Sequence, residues 1–124
     1  PAASTAPPSP TPATDVPLTR FQPLDAFPYE TQTAVRAVLT GADWLARRNQ
    51  PQGRFLFGYN PALRQPLMGD HDLKQAKAAL GLAQAAKFCG DEKQAAVASQ
   101  AVLALLAATR PDPADANCRV PAHS

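Results

Sequence analysis

The sequence has 124 residues, a formal net charge of +2 and a hydrophobic fraction of 45%. This length suits one domain, and so weak a charge gives no electrostatic indication of a nucleic-acid partner. No apolar run approaches the ~18 residues that a bilayer-spanning helix needs, so such a segment is excluded. Because 26 residues are alanine, much of the hydrophobic fraction consists of small side chains.

The first 28 residues are rich in proline, alanine, serine and threonine, and they hold 8 of the 14 prolines. They carry too little apolar bulk to offset the entropy of ordering, so residues 1–28 are predicted to be a disordered tether. Small residues at the start, beginning with Pro1, are typical of a chain from which a secretion signal has been removed. We therefore expect a secreted or periplasmic protein; the alternative is a linker between intracellular domains.

After the tether, apolar residues recur with the period of an α-helix, which predicts a first helix over residues 31–48. Its apolar positions recur at spacings of three and four, which places them on one face: Val35, Val38, Leu39, Ala42 and Leu45. Arg48 suits the negative end of a helix dipole, and Pro51 ends the element. Trp44 is predicted to pack at the margin of the apolar face.

The connection over residues 49–69 contains an aromatic segment, RFLFGY, at residues 54–59. Aromatic residues occupy every second position, and this alternation predicts a short strand or an extended segment with Phe55, Phe57 and Tyr59 on one side. A connection of 21 residues without regular structure is uncommon in a compact domain and is often functional.

Two alanine-rich helices are predicted next, over residues 72–88 and 91–109. Gly90 stands at the left-handed position that ends a helix, and Asp91 suits the positive start of the next one. The short junction predicts an antiparallel αα-hairpin. The first of these helices has two adjacent apolar rows, so we expect it to contact neighbours on more than one side.

The predicted fold class is all-α: a lead-in helix and an αα-hairpin within a helical domain at residues 29–110, followed by an irregular tail at 111–124. A helix pair that cannot bury both faces alone is typical of a repeat or toroid unit. We therefore expect further helical hairpins of a parent chain to pack against it.

The stretch from residue 42 to residue 107 includes WLARRNQ at 44–50, PQGRFLFGYNP at 51–61 and QAKAALGLAQAAKFCGD at 75–91. It resembles one hairpin and its lead-in helix from the α/α-toroid superfamily, which includes six-hairpin glycosidases, uronyl hydrolases, sugar epimerases and terpene-cyclase-like barrels. The resemblance implies the N-terminal part of a toroid that binds or acts on carbohydrate. A complete toroid needs more helices than the three predicted.

Asp70 and Asp72 are the candidate catalytic residues, since sugar-cleaving enzymes use a pair of carboxyl groups as acid and base or nucleophile. The two are too near in sequence to straddle a sugar, so a second acid would have to come from elsewhere, either Asp43 or a residue outside this chain. The alternative is that they are the N-cap residue and first-turn acids of the following helix. His71, between them, is then a solvated residue of the first turn.

The ligand-binding candidates are aromatic and basic. The aromatic ones could form a floor that stacks on a pyranose ring, and the arginines could pair with a uronate carboxylate; the set is Trp44, Arg54, Phe55, Phe57, Tyr59 and Arg64. The alternative is that the aromatic residues cover the open end of the helix bundle and the arginines are ordinary surface residues.

A disulfide between Cys89 and Cys118 would close a loop of about 29 residues and add roughly 3–4 kcal/mol to stability. The alternative is a small buried thiol and a separate tail thiol. These cysteines with the distant His71 and His123 do not form a zinc pattern, and we expect neither metal nor cofactor.

Three functional interpretations follow. The first is an extracytoplasmic α/α-toroid protein that binds or acts on glycans, with enzymatic activity left open. The second is a helical-hairpin interaction module, similar to tetratricopeptide arrays, without catalysis. The third is a stand-alone structural domain. A tetratricopeptide array would show a 34-residue repeat, and no second copy is evident between Thr31 and Arg110.

Overall fold

The structure is a computed structural model and describes residues 24–122. It is mostly helical, with α1 at Tyr29–Arg47, α2 at Asp72–Cys89 and α3 at Glu92–Ala107. Each helix begins and ends within two residues of its predicted bounds. The mostly helical class is therefore as predicted, although two small strand pairs make the fold not purely α.

The strand pairs are both antiparallel hairpins. In the first, β1 (Tyr59–Asn60) pairs with β2 (Gln65–Pro66) inside the connection between α1 and α2. In the second, β3 (Thr109–Pro111) pairs with β4 (Arg119–Pro121) after α3.

The predicted tether lies largely outside the described residues, which begin at Leu24. Its last part differs from the prediction, because Leu24–Ala26 form a 3-10 helix. The side-chain amide of Gln32 donates a hydrogen bond to the carbonyl oxygen of Phe27 at 2.9 Å. This bond ties the residues before α1 to its first turns, so residues 24–28 are not a disordered tether.

The α2–α3 hairpin is the centre of the molecule. As predicted, Gly90 ends α2 in the left-handed conformation, with φ of 69°. The Asp91 side chain caps α3 by accepting a hydrogen bond from the backbone N–H of Gln94 at 3.0 Å. The buried apolar residues between the two helices are alanines apart from one leucine, and they include Ala79, Leu82, Ala86, Ala98 and Ala101. Alanines at the crossing let the two backbones approach closely.

Only one side of this hairpin is covered. On that side α1 packs through Ala42 and Leu45 against the core that α2 and α3 form. On the other side five large apolar residues are 44% to 64% exposed: Leu73, Leu80, Val102, Leu103 and Leu106. Together with the exposed alanines Ala76 and Ala83, they form a surface that we call the open face. Two grooves, of about 420 and 560 Å³, run along it.

The tail at residues 111–124 was predicted to be irregular, but its described part differs. The chain after α3 forms the β3–β4 hairpin. Its turn is held by Asp112 and Asp115, whose carboxylates accept backbone N–H groups two residues further on, each at 2.9 Å. The N–H of Asn117 is the main reason that the pKa of Asp115 lies below its usual value of 3.8. The hairpin has little apolar alternation and contains Pro111 and Pro121, so the sequence gives no strand signal.

Cys89 and Cys118 are free thiols in this structure. The Cys89 thiol lies 3.9 Å from the carbonyl oxygen of Ala86 in its own helix, whereas the Cys118 thiol lies 3.3 Å from the carboxylate of Asp115. His123 lies outside the described residues. None of the helices between residues 24 and 122 is both long and apolar enough to cross a membrane.

Candidate functional site

The connection between α1 and α2 holds most of the predicted site residues, and its first turn fixes it to the bundle. After α1 the chain reverses, and the side chain of Asn49 donates to the carbonyl oxygen of Gly53 at 2.8 Å. Gly53 is buried with φ of 90°, and a Cβ placed on it would lie 3.1 Å from the carbonyl oxygen of Gln100 in α3. The N–H of Leu56 then donates to the carbonyl oxygen of Arg48 at 3.0 Å. The connection is therefore anchored to both α1 and α3.

Phe55 is the anchor of the aromatic segment and is only 4% exposed. Its backbone is bound by the buried side chain of Gln75 in α2. The Gln75 amide oxygen accepts the N–H of Phe55, and the amide nitrogen donates to the carbonyl oxygen of Phe55, both at 2.8 Å. This pairing satisfies polar backbone groups that would otherwise be buried without partners.

Arg54 binds both candidate catalytic carboxylates. One guanidinium nitrogen, Nη1, donates to Asp70 at 2.6 Å and to Asp72 at 2.9 Å. The hydrogen bond that Arg54 donates to Asp72 is the largest reason that the pKa of Arg54 lies above its ordinary value. The other oxygen of Asp70 accepts from Gln75 at 2.9 Å and from the N–H of His71 at 2.8 Å. These residues form one continuous polar network.

This network changes the interpretation of the two acids. A guanidinium occupies the space between them, which in a glycosidase must admit the scissile bond. Neither acid is the N-cap residue of α2, since that position is His71 and no side chain caps it. Asp72 does lie in the first turn of α2, as the alternative expected. The further candidate Asp43 pairs with Arg47 at 3.0 Å, one turn away on α1. All three acids are thus held in local ion pairs.

The structure does not form the expected aromatic floor, because the aromatic residues predicted to build it do not share one surface. Phe55 is in the core, and Phe57 is half-buried with the ammonium of Lys74 4.6 Å from its ring centre. Only Trp44 and Tyr59 are substantially exposed, at 44% and 39%.

The two arginine candidates are also separated. Arg54 is already bound by two carboxylates, whereas Arg64 is an exposed residue in the β1–β2 turn with φ of 49°. The structure therefore does not bring them together to hold one uronate.

Arg48, for which the sequence analysis predicted only a role at the end of the first helix, joins the two exposed rings. The guanidinium carbon of Arg48 lies 5.5 Å from the ring centre of Trp44 and 5.7 Å from that of Tyr59. The spacing of Trp44 and Arg48 by four residues on a helix was the available signal. Tyr59 is eleven residues beyond Arg48 and reaches it only because the chain turns back after α1.

A cleft of about 320 Å³ lies beside the aromatic segment, between it and the chain that enters α2. Its rim is polar at one end, where the side chain of Gln52 donates to that of Gln50 at 2.7 Å. Arg54 and Asp70 also line it, and Phe57 and Met68 supply apolar walls. Among residues 24–122, no group of three or more histidine, cysteine or acidic side chains is placed to hold a metal ion.

Comparisons with protein-family models, with curated proteins and with solved structures find no match to this chain. The features that bear on function are therefore the open face of the hairpin, the cleft beside the aromatic segment and the exposed cluster of Trp44, Arg48 and Tyr59.

Proposed function

We propose that this chain is a helix-packing unit whose open face binds another helical hairpin of the same kind as α2–α3. The observation that carries the proposal is the exposure of five large apolar residues, 44% to 64% each, on one side of two adjacent helices. Scattered apolar residues are normal on a protein surface, but a contiguous apolar patch marks an interaction site.

The shape of the open face supports a helical occupant. Leucine side chains such as Leu73 and Leu80 stand along α2 as a ridge, while Ala76 and Ala83 leave the space that forms the grooves. A helix packs by placing its ridge of side chains into a groove of this kind. The covered side of the same hairpin, where α1 packs on α2, is an example of such packing in this molecule.

The α/α-toroid and the tetratricopeptide-like interpretations both require this packing, and we favour the toroid. The support is the long connection between α1 and α2, which carries its own strand pair and buried anchor. Simple helical arrays use short connections between successive helices. On this proposal the hairpins that cover the open face belong to the same parent protein.

The test uses the 124-residue chain, for which the only available hairpin is a second copy of itself. We expect sedimentation velocity to show self-association that increases with concentration. Leu80→Lys and Leu106→Lys should each weaken it, because burying an ammonium in an apolar contact is costly. Leu63→Lys is the matched control, since Leu63 is 66% exposed but lies in the β1–β2 turn, away from the open face.

Two results would overturn this proposal. One is a chain that stays monomeric at every concentration tested. The other is self-association that Leu63→Lys weakens as much as the open-face variants do. Circular dichroism on each variant establishes that the helices remain formed.

Carbohydrate binding is the second candidate, and the exposed rings of Trp44 and Tyr59 beside Arg48 favour it. Flat, partly exposed rings are suited to the apolar faces of sugars. Because Trp44 is the single tryptophan, its fluorescence reports on this surface alone. No change in that fluorescence or in calorimetric heat with any neutral or acidic oligosaccharide would remove this candidate. We do not extend it to catalysis, since Arg54 occupies the space between Asp70 and Asp72.

A further inference from the structure

Arg48 differs from its neighbour Arg47 in what surrounds its guanidinium. Arg47 is paired with the carboxylate of Asp43 at 3.0 Å. Arg48 instead lies over the rings of Trp44 and Tyr59, and no acidic side chain in residues 24–122 is within salt-bridge distance of it. Its positive charge therefore has aromatic neighbours but no anionic partner in the described part of the chain.

The two rings orient this guanidinium. An aromatic face attracts a cation, and a planar guanidinium that rests on aromatic rings keeps the N–H groups at its edge available. The loop that carries Tyr59 is held to α1, because Leu56 donates to the carbonyl oxygen of Arg48 itself at 3.0 Å. The site is thus assembled from two elements that are hydrogen-bonded to each other. Such preorganisation lowers the entropic cost of binding an anion.

We propose that Trp44, Arg48 and Tyr59 bind the carboxylate of a uronic-acid oligosaccharide. A carboxylate matches the fork of N–H donors on arginine, and the pair can form two parallel hydrogen bonds. Trp44 and Tyr59, the two aromatic residues beside this donor, are 44% and 39% exposed, which leaves apolar surface for the face of a sugar ring. A hexuronate carries both features on one ring. This inference goes beyond the packing function and gives the carbohydrate candidate its ligand class.

The test compares an oligomer of galacturonic acid with the same oligomer after methyl esterification, which keeps the sugar rings and removes the charge. Binding is followed by Trp44 fluorescence and by calorimetry. We expect the acid form to bind at least about tenfold more tightly than the ester, since charge-assisted hydrogen bonds are the stronger ones. Arg48→Gln should abolish this preference. Arg48→Lys should retain only part of it, because an ammonium lacks the planar fork.

Arg47→Gln is the matched control, because it removes the same charge from the adjacent exposed position. We expect it to leave the affinity for the acid oligomer within about twofold of that of the unaltered chain. If Arg47→Gln weakens binding as much as Arg48→Gln, the attraction is general electrostatics and the proposed site is wrong.

The remaining outcomes separate this inference from the carbohydrate candidate. Equal binding of the acid and the ester would keep carbohydrate binding and overturn the role of the carboxylate. No binding of either form would overturn the inference. Equally tight binding of a polyglutamate peptide would show that the site recognises anions rather than sugars, which also overturns it.

Discussion

The side-chain amide of Gln75 pairs with both backbone polar groups of Phe55, twenty residues earlier in the chain, through two hydrogen bonds of 2.8 Å. It takes the place of a neighbouring strand, and it does so from within α2. The same amide also donates to Asp70 at 2.9 Å. One buried side chain therefore links the aromatic segment to the polar network at the start of α2.

Replacing this side chain should be costly. Gln75→Leu keeps a similar volume but leaves the N–H and carbonyl groups of Phe55 buried without partners. Each such group costs about 1–3 kcal/mol, so we expect the free energy of unfolding to fall by about 3 kcal/mol in a urea titration. Gln84→Leu, the same change at an exposed position of α2, should alter it by less than about 0.5 kcal/mol. Equal effects of the two substitutions would contradict this account of Gln75.

Among the described glycines of the α1–α2 connection, we expect Gly53 to tolerate substitution least. Its φ of 90° is unfavourable for any other residue, and a Cβ would lie 3.0 Å from the Cβ of Ala104 and 3.1 Å from the carbonyl oxygen of Gln100. We expect Gly53→Ala to destabilise the fold by about 2 kcal/mol in thermal or urea unfolding.

Gly41 provides the opposite case in α1. No atom lies within 4 Å of a Cβ placed there, and alanine is the better helix former. Gly41→Ala should therefore stabilise the chain by about 0.5–1 kcal/mol. If Gly41→Ala destabilises the chain as much as Gly53→Ala does, the space around the new Cβ and the backbone φ do not determine the effect of these substitutions.

Arg54→Gln tests the ion-pair network. The two carboxylates that Arg54 binds are about half exposed, so solvent screens the pairs and we expect a loss of only about 1 kcal/mol in unfolding free energy. The loss should shrink as salt is added, because mobile ions screen partly exposed charges.

The pH dependence of this contribution follows from the sign of the pKa shift. The folded-state pKa of Arg54 is raised above its ordinary value, chiefly by the hydrogen bond to Asp72. The stability linked to its protonation is thus fully present below the ordinary arginine pKa and is lost only as the pH rises through the higher folded-state value. We expect the difference between Arg54→Gln and the unaltered chain to be the same in neutral and mildly alkaline buffer. A difference that disappears in mildly alkaline buffer would contradict this assignment.

The helices could be predicted from sequence because their signals are local. Gly90 and Asp91 mark one helix end and the next helix start within two residues, and the structure places both as those signals indicate. The two apolar rows of α2 predict contacts on more than one side, and the structure leaves one of these sides exposed as the open face. These inferences need only the period of an α-helix and the chemistry of its ends.

The site could not be predicted in the same way, because its contacts join distant residues. Arg54 reaches Asp70 and Asp72 across sixteen and eighteen positions, and no pattern in the sequence encodes that pairing. Alternation did predict an extended aromatic segment, but it does not tell which rings are covered. Phe55 is buried because Gln75 holds its backbone against α2, and this contact is decided by tertiary structure.

The contrast between the two sides of α2 gives the last prediction. Leu82 is 0% exposed at the centre of the core, whereas Leu80, two residues earlier on the same helix, is 58% exposed on the open face. Leu82→Ala should lower the unfolding free energy by about 3 kcal/mol, since it removes buried apolar contacts and leaves a cavity. Leu80→Ala, measured at a concentration low enough for the chain to be monomeric, should lower it by less than about 0.5 kcal/mol. If Leu80→Ala is as destabilising as Leu82→Ala under that condition, Leu80 is buried within the single chain. The open face would then not be available to a partner helix.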